Sequence, residues 1–119
     1  SPALLSKKFY MIEWKVLDSA IQLDQIIEES HQKPQVIFKH STSCPISSMA
    51  KNRIERDWAF STNPYYLDLI ANRSISNEIA SSFAIHHESP QIIVIKDGMG
   101  VYDESHLDIN AEDLSEYIS

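Results

Sequence analysis

Val36-Ile37-Phe38-Lys39-His40-Ser41-Thr42-Ser43-Cys44-Pro45-Ile46-Ser47-Ser48 is the stretch on which the fold turns. Val36-Ile37-Phe38 is a continuous apolar run, the mark of a strand covered on both faces. His40 to Pro45 is a polar turn, and Pro45 stands at the first position of the next helix, where its missing N–H costs nothing. From Pro45 to about Trp58, the apolar residues Ile46, Ala50, Ile54 and Trp58 recur at every fourth position, which predicts an amphipathic helix. Cys44 therefore falls at a strand-to-helix junction. Unpaired N–H groups and the positive dipole end at a helix N-terminus stabilise an anion, which favours a reactive thiolate over a small buried hydrophobe. Ser41, Thr42, Ser43, Ser47 and Ser48 supply hydroxyls around it.

Upstream, Trp14-Lys15-Val16-Leu17 reads as a short edge strand. Ser19 to about Ser30 carries Ala20, Leu23, Ile26 and Ile27 at helical spacing and stops at Lys33-Pro34. Downstream, Tyr65 to Ile70 reads as a strand, and Ser74 to about Ala84 as a helix burying Ile75, Ile79 and Phe83. Gln91 to Lys96 is a strong buried strand; Asp97-Gly98-Met99-Gly100 is hairpin chemistry, and Val101-Tyr102-Asp103 returns beside it. Asn110, with Asp113 three residues later, resembles a capping box for a final helix holding Leu114, Tyr117 and Ile118. The order is β-α-β-α-β-α-β-β-α. Strands alternating with helices imply parallel crossovers, and the closing hairpin adds an antiparallel edge. An α/β fold with a central mixed sheet flanked by helices follows, and its order and length match a thioredoxin-like fold. Residues 1–13 read as an N-terminal extension with partial disorder, and 14–119 as a single domain.

Composition narrows the chemistry. One cysteine among 119 residues excludes an internal disulfide and multi-cysteine metal clusters. Two glycines, Gly98 and Gly100, cannot build a glycine-rich phosphate loop. A formal net charge of −7 without a local basic cluster argues against nucleic acid. No apolar run approaches the ~20 residues that cross a bilayer. The start, Ser1-Pro2-Ala3-Leu4-Leu5-Ser6-Lys7-Lys8, lacks the order of a signal peptide, and with one unpaired thiol a cytoplasmic location is expected. His86, His87 and His106 have no metal-ligand spacing, so no metal site is expected.

Ser89-Pro90 opens the Gln91–Lys96 strand. In a thioredoxin-like sheet that position faces the thiol loop, so a cis peptide is expected, with the Ser89 backbone turned toward an extended substrate chain. Lys51 follows Cys44 by seven residues, close to two helical turns, and is a candidate to meet an anionic small thiol; the alternative is a solvated helix lysine. His40 is a candidate to accept the Cys44 proton, or else a strand-end residue facing solvent. Asp68 lies within an apolar strand, where an acid must be solvated or paired.

Three segments together resemble one family. Phe38-Lys39-His40-Ser41-Thr42-Ser43-Cys44-Pro45-Ile46-Ser47-Ser48, Tyr66 to Ala80 and His87-Glu88-Ser89-Pro90-Gln91 are similar to the YtxJ-like monothiol bacilliredoxins, over about Trp14 to Ile109. The resemblance implies a thioredoxin-like fold with Cys44 as the redox cysteine. It also implies removal of bacillithiol, a low-molecular-weight thiol, from mixed disulfides on proteins. Thr42, Ser43, Pro45, Ser47, Ser89 and Pro90 are the expected substrate-binding positions. No bound cofactor is expected; the small thiol is a co-substrate. The expected partners are S-thiolated client proteins and a dithiol redoxin or reductase that recycles Cys44. Ser47 stands where a dithiol motif places its second cysteine and cannot form a disulfide, so the resolving thiol must come from outside. Two other classes compete: a cysteine hydrolase pairing Cys44 with a histidine, and a non-catalytic stress-related binding module on the same scaffold. A phosphatase loop fails, because Ala50 stands where that loop needs arginine.

Overall fold

A computed structural model describes residues 11–119. Its centre is the strand β2 (Gln35–His40), buried along its whole length. The other strands are β1 (Lys15–Val16), β3 (Tyr65–Asp68), β4 (Gln91–Lys96) and β5 (Met99–Ser105). They form one mixed sheet in the order β1-β3-β2-β4-β5, with β1, β3 and β2 parallel and β4 and β5 antiparallel to their neighbours. The helices are α1 (Ala20–Glu29), α2 (Pro45–Asp57) and α3 (Arg73–Ser82).

Alternation along β2 builds two cores. Ile37 faces one side with Leu67, Ile93 and Ile95, covered by Leu23 and Ile26 of α1 and Ile75 and Ile79 of α3. Val36 and Phe38 face the other with Ile92 and Val94, covered by Ala50 and Ile54 of α2, Trp58 and the C-terminal residues Ile109, Leu114 and Ile118. Helix α1 starts at a true capping box: Gln22 N–H donates to Ser19 Oγ, and the Gln22 side-chain oxygen accepts from the Ser19 N–H. The β4–β5 turn has Asp97 and Gly98 at φ 52° and 75°, the backbone that suits a two-residue hairpin.

Boundaries shift where side chains intervene. The third strand ends at Asp68 rather than Ile70, because Asp68 Oδ1 accepts from the Ile70 and Ala71 N–H groups and closes a turn. That contact also answers how the acid is accommodated. Helix α3 stops at Ser82, short of the expected Ala84, which adopts φ 53°. The expected final helix is instead two 3₁₀ segments, His106–Asp108 and Ala111–Glu116. Asn110 Oδ1 accepts from the Glu112 N–H at 3.0 Å, but no reciprocal bond from Asp113 closes the box. An aspartate reaches one methylene less far than the Glu or Gln that the box requires, and so short a segment gains few helical bonds against the cost of nucleation.

Of the N-terminal stretch read as an extension, residues 1–10 lie outside the described residues. Ile12 packs against the α2-side core, as does Trp14.

Candidate functional site

Three strand ends meet at one edge of the sheet. β2 and β3 both finish there, and the register Lys39↔Gln91 brings the start of β4, and Pro90 before it, beside the end of β2. Residues 41–44 leave this edge for α2. Cys44 is the N-cap residue of α2, with extended backbone at φ −102° and ψ 118°, and Pro45 opens the helix. Its N–H donates to the Ser41 carbonyl at 3.1 Å and its carbonyl accepts from Ser48 N–H at 3.1 Å, so both backbone groups are satisfied locally. The thiol is free and half-buried, and its side chain makes no capping bond. It is left to face a partner.

The fourth position of the motif is the more constrained one. Ser47 is fully buried on the first turn of α2. Its Oγ accepts from the Ser41 N–H at 3.0 Å and lies 2.6 Å from His40 Nδ1. The assignment that satisfies all three groups has the Ser47 O–H donating to Nδ1, with the His40 proton on Nε2. Burial of the ring, with help from the Lys51 charge, pushes His40 below its ordinary value and keeps it neutral. His40 packs between Phe38 and Tyr66, at centroid distances of 5.9 and 5.5 Å. The expectation of His40 as acceptor of the Cys44 proton is therefore corrected. Its Nδ1 is engaged by Ser47, and it is buried rather than facing solvent. Among the described residues no histidine hydrogen-bonds Cys44, so the nucleophile–base pair of a hydrolase is not assembled.

Lys51, the candidate to meet an anionic small thiol, already has partners in the structure. Its Nζ pairs with Glu55 at 2.9 Å and sits over the Trp14 and Tyr66 rings, 5.5 and 5.8 Å from their centroids. Burial alone would raise the Glu55 carboxyl, but bonds from the Trp14 indole and Lys51 ammonium outweigh it and hold the group below its usual range. The lysine is thus engaged by its own helix and by the Trp14 and Tyr66 rings. Thr42, Ser43 and Pro45 are exposed around Cys44, with Ser43 Oγ 3.4 Å from Ser41 Oγ. Ile46, expected in the core stripe of α2, is exposed beside the thiol, and Ser47 takes the inward position with Ala50 and Ile54.

The Ser89–Pro90 peptide is cis, as its position implied. Pro90 is buried, and the Ser89 hydroxyl is buried without a hydrogen-bond partner. Pairing the Pro90 carbonyl with the His106 N–H at 3.0 Å ties this loop to the turn after β5. No group of histidine, cysteine and acidic residues among those described is arranged to hold a metal ion.

A family model described as monothiol bacilliredoxin BrxC matches residues 15–114. The chain belongs to the monothiol bacilliredoxin family. A solved protein described provisionally as an oxidoreductase with a thioredoxin fold is 36% identical, covering 86% of this chain and 90% of its own, with a TM-score of 0.73. Thioredoxins of Nicotiana alata (15% identity, TM-score 0.70, 94% of this chain and 98% of that one) and Malassezia sympodialis (18%, 0.67, 87% and 86%) share the fold. The thioredoxin-like architecture read from the order of elements is thus established. Family and fold together support a thiol–disulfide redox function for this bacilliredoxin. No helix among the described residues is long and apolar enough to cross a membrane.

Proposed function

We propose that this bacilliredoxin removes a low-molecular-weight thiol, bacillithiol, from mixed disulfides on client proteins. The Cys44 thiolate attacks the small-thiol sulfur of protein–S–S–bacillithiol. The protein leaves as a thiolate, and the small thiol is carried on Cys44 as a new disulfide. A second bacillithiol thiolate, or one sulfur of a dithiol partner, then attacks that disulfide and releases Cys44. In the first case the products are two-sulfur bacillithiol disulfide and free Cys44; electrons taken from the external thiol end on the client's cysteine.

The observation that carries this reading is Ser47. It occupies the place of a resolving sulfur, wholly buried and bonded to His40 and Ser41, beside a thiol that makes no capping bond to its helix. Exposed Thr42, Ser43 and Pro45 and the Ser89–Pro90 backbone form the surface a client chain would lie on, with strand-like pairing holding its disulfide near Cys44. Exposed Ile46 and Met49 give that surface an apolar flank.

The test is intact-mass analysis after incubation with the disulfides of bacillithiol, glutathione and coenzyme A. A single bacillithiol adduct forming fastest, lost in Cys44→Ala, is the expected result. An adduct that persists without Cys44, or a faster glutathione or coenzyme A adduct, would overturn the attacking residue or the choice of thiol respectively.

A further inference from the structure

Lys39 is a cation wholly inside the protein, five positions before Cys44 in the same run of chain. It projects to the α1–α3 side of β2 with Ile37, away from the Ser47–His40 contact, and its partner across the sheet is Gln91. Its Nζ donates to His87 Nδ1 at 2.9 Å. Ser76 Oγ of α3 lies 3.3 Å from the same nitrogen. Gln91 Nε2 donates to the His86 carbonyl at 3.0 Å, and Glu88 pairs with His106 at 3.2 Å. The loop 86–90 is therefore anchored to α3, to β4 and to the turn after β5. Its anchor to the strand that leads into Cys44 is the Lys39 side chain.

A lysine is a costly choice for such a place. A buried ammonium loses its hydration, and a methionine of similar length would fill the space without that penalty. Glu88 and Asp103 offset part of the cost, while burial, with the Lys39 and Arg73 charges, holds His87 below its ordinary value. What the ammonium supplies and an apolar side chain cannot is a directed bond that sets His87.

We propose that Lys39 is a positioning residue for thiol exchange, holding His87 and so fixing the Ser89–Pro90 backbone relative to Cys44. The inference rests on the reading of Cys44 as the attacking thiol and of that backbone as the client-facing edge. It predicts that the loop matters for a substrate with a peptide chain and not for a small reagent that meets only the sulfur.

The test uses a fluorescent peptide whose single cysteine is in mixed disulfide with bacillithiol, with free bacillithiol in excess. Lys39→Met should raise KM for the peptide about 10-fold while kcat and the rate of Cys44 alkylation by iodoacetamide stay within about 2-fold. His87→Phe, which has no acceptor, should reproduce the effect, and the double variant should add nothing further. His87→Asn, whose amide oxygen replaces Nδ1 as acceptor, should restore KM to near the native value. Nitrogen-15 NMR of His87 should show an unprotonated Nδ1 whose shift moves in Lys39→Met. Native KM in Lys39→Met, or an equal fall in alkylation, would overturn the positioning role alone. An unmoved His87 resonance would overturn the tether regardless of activity. A native protein that transfers no bacillithiol would overturn the reading of Cys44, and the positioning role with it.

Discussion

Replacing Lys39 by methionine should stabilise the protein at neutral pH, and the gain should fade as pH rises. Burial pulls the Lys39 ammonium down from 10.5 to about 8, against the opposing pull of Glu88 and Asp103. At ~1.4 kcal/mol for each pH unit, keeping the proton at pH 7 costs the folded state about 3 kcal/mol. An unfolded lysine holds its proton up to 10.5, so between pH 8 and 10.5 the unfolded chain binds more protons than the folded one. Stability therefore rises with pH across that window, by about 2 kcal/mol from pH 7.5 to pH 10. Methionine has no proton to lose and should show none of this slope. Against the relief of burial stands the lost bond from the ammonium to His87, worth about 1.5–3 kcal/mol, which leaves a net gain of about 1 kcal/mol at pH 7.5.

Guanidinium chloride denaturation of both proteins at pH 7.5, 8.5, 9.5 and 10 reads the difference directly. Lys15, whose ammonium is also lowered by burial, and Tyr65 and Tyr66, whose phenols are raised by it, titrate toward the same alkaline range. They are common to both proteins and cancel in the subtraction. A difference that does not change between pH 7.5 and 10, or a methionine variant less stable than the native protein at pH 7.5, would refute the reasoning. Together with a raised KM, the gain in stability would show a charge retained at a cost to the fold.

Ser47→Ala strips partners from the half-buried Ser41 N–H and the buried His40 Nδ1, and should lower stability by about 1–3 kcal/mol in urea or guanidinium titrations. Ser47→Cys restores a second sulfur on the first turn of α2 and should form an internal disulfide with Cys44, seen as a mass loss of two hydrogens and as release of any small thiol carried on Cys44. Acidification should destabilise the native protein below about pH 6.5: burial holds both His40 and His87 below 6.5 when folded, so the unfolded chain binds protons first and stability falls as pH drops toward the folded values. Denaturation midpoints at pH 7.5 and 5.5 check the sign, which should shrink when His40 is replaced by glutamine.

Apolar periodicity made the strands and long helices legible, because it is the physical cause of their burial. Val36 to Phe38 and Gln91 to Ile95 lie at the centre of the sheet as their composition required, and Ile75, Ile79 and Phe83 form the inward stripe of α3 and its end. The cysteine and proline at the start of α2 were equally plain. Polar residues inside the site were not. Ser47 shares a helical stripe with Ala50 and Ile54, yet the four-residue recurrence of apolar side chains selected Ile46, which is exposed. Hydrophobicity could not tell an inward serine with two partners from an outward one. Lys39 did carry a signal, since alternation through a strand buried on both faces puts it inside with Ile37. Its partner is 48 residues away, and only the closing of β4 against β2 brings His87 to it.

The two polar contacts have the same chemistry on opposite faces of one strand end. At His40 and at His87 a neutral imidazole accepts at Nδ1 from a donor buried beside it, Ser47 on the α2 side and Lys39 on the α1–α3 side. Each contact fixes a different part of the edge where exchange would occur: one the first turn of α2 behind Cys44, the other the loop ahead of it. Protonating either ring removes its acceptor and, at His87, sets a second cation against Lys39. On the proposed mechanism, a protein without an internal resolving thiol keeps its carried disulfide open to an outside nucleophile, so the surfaces on both sides of the sulfur have to hold their places through two successive attacks. Buried hydrogen bonds with directed geometry do that where apolar packing alone would fill space without fixing orientation.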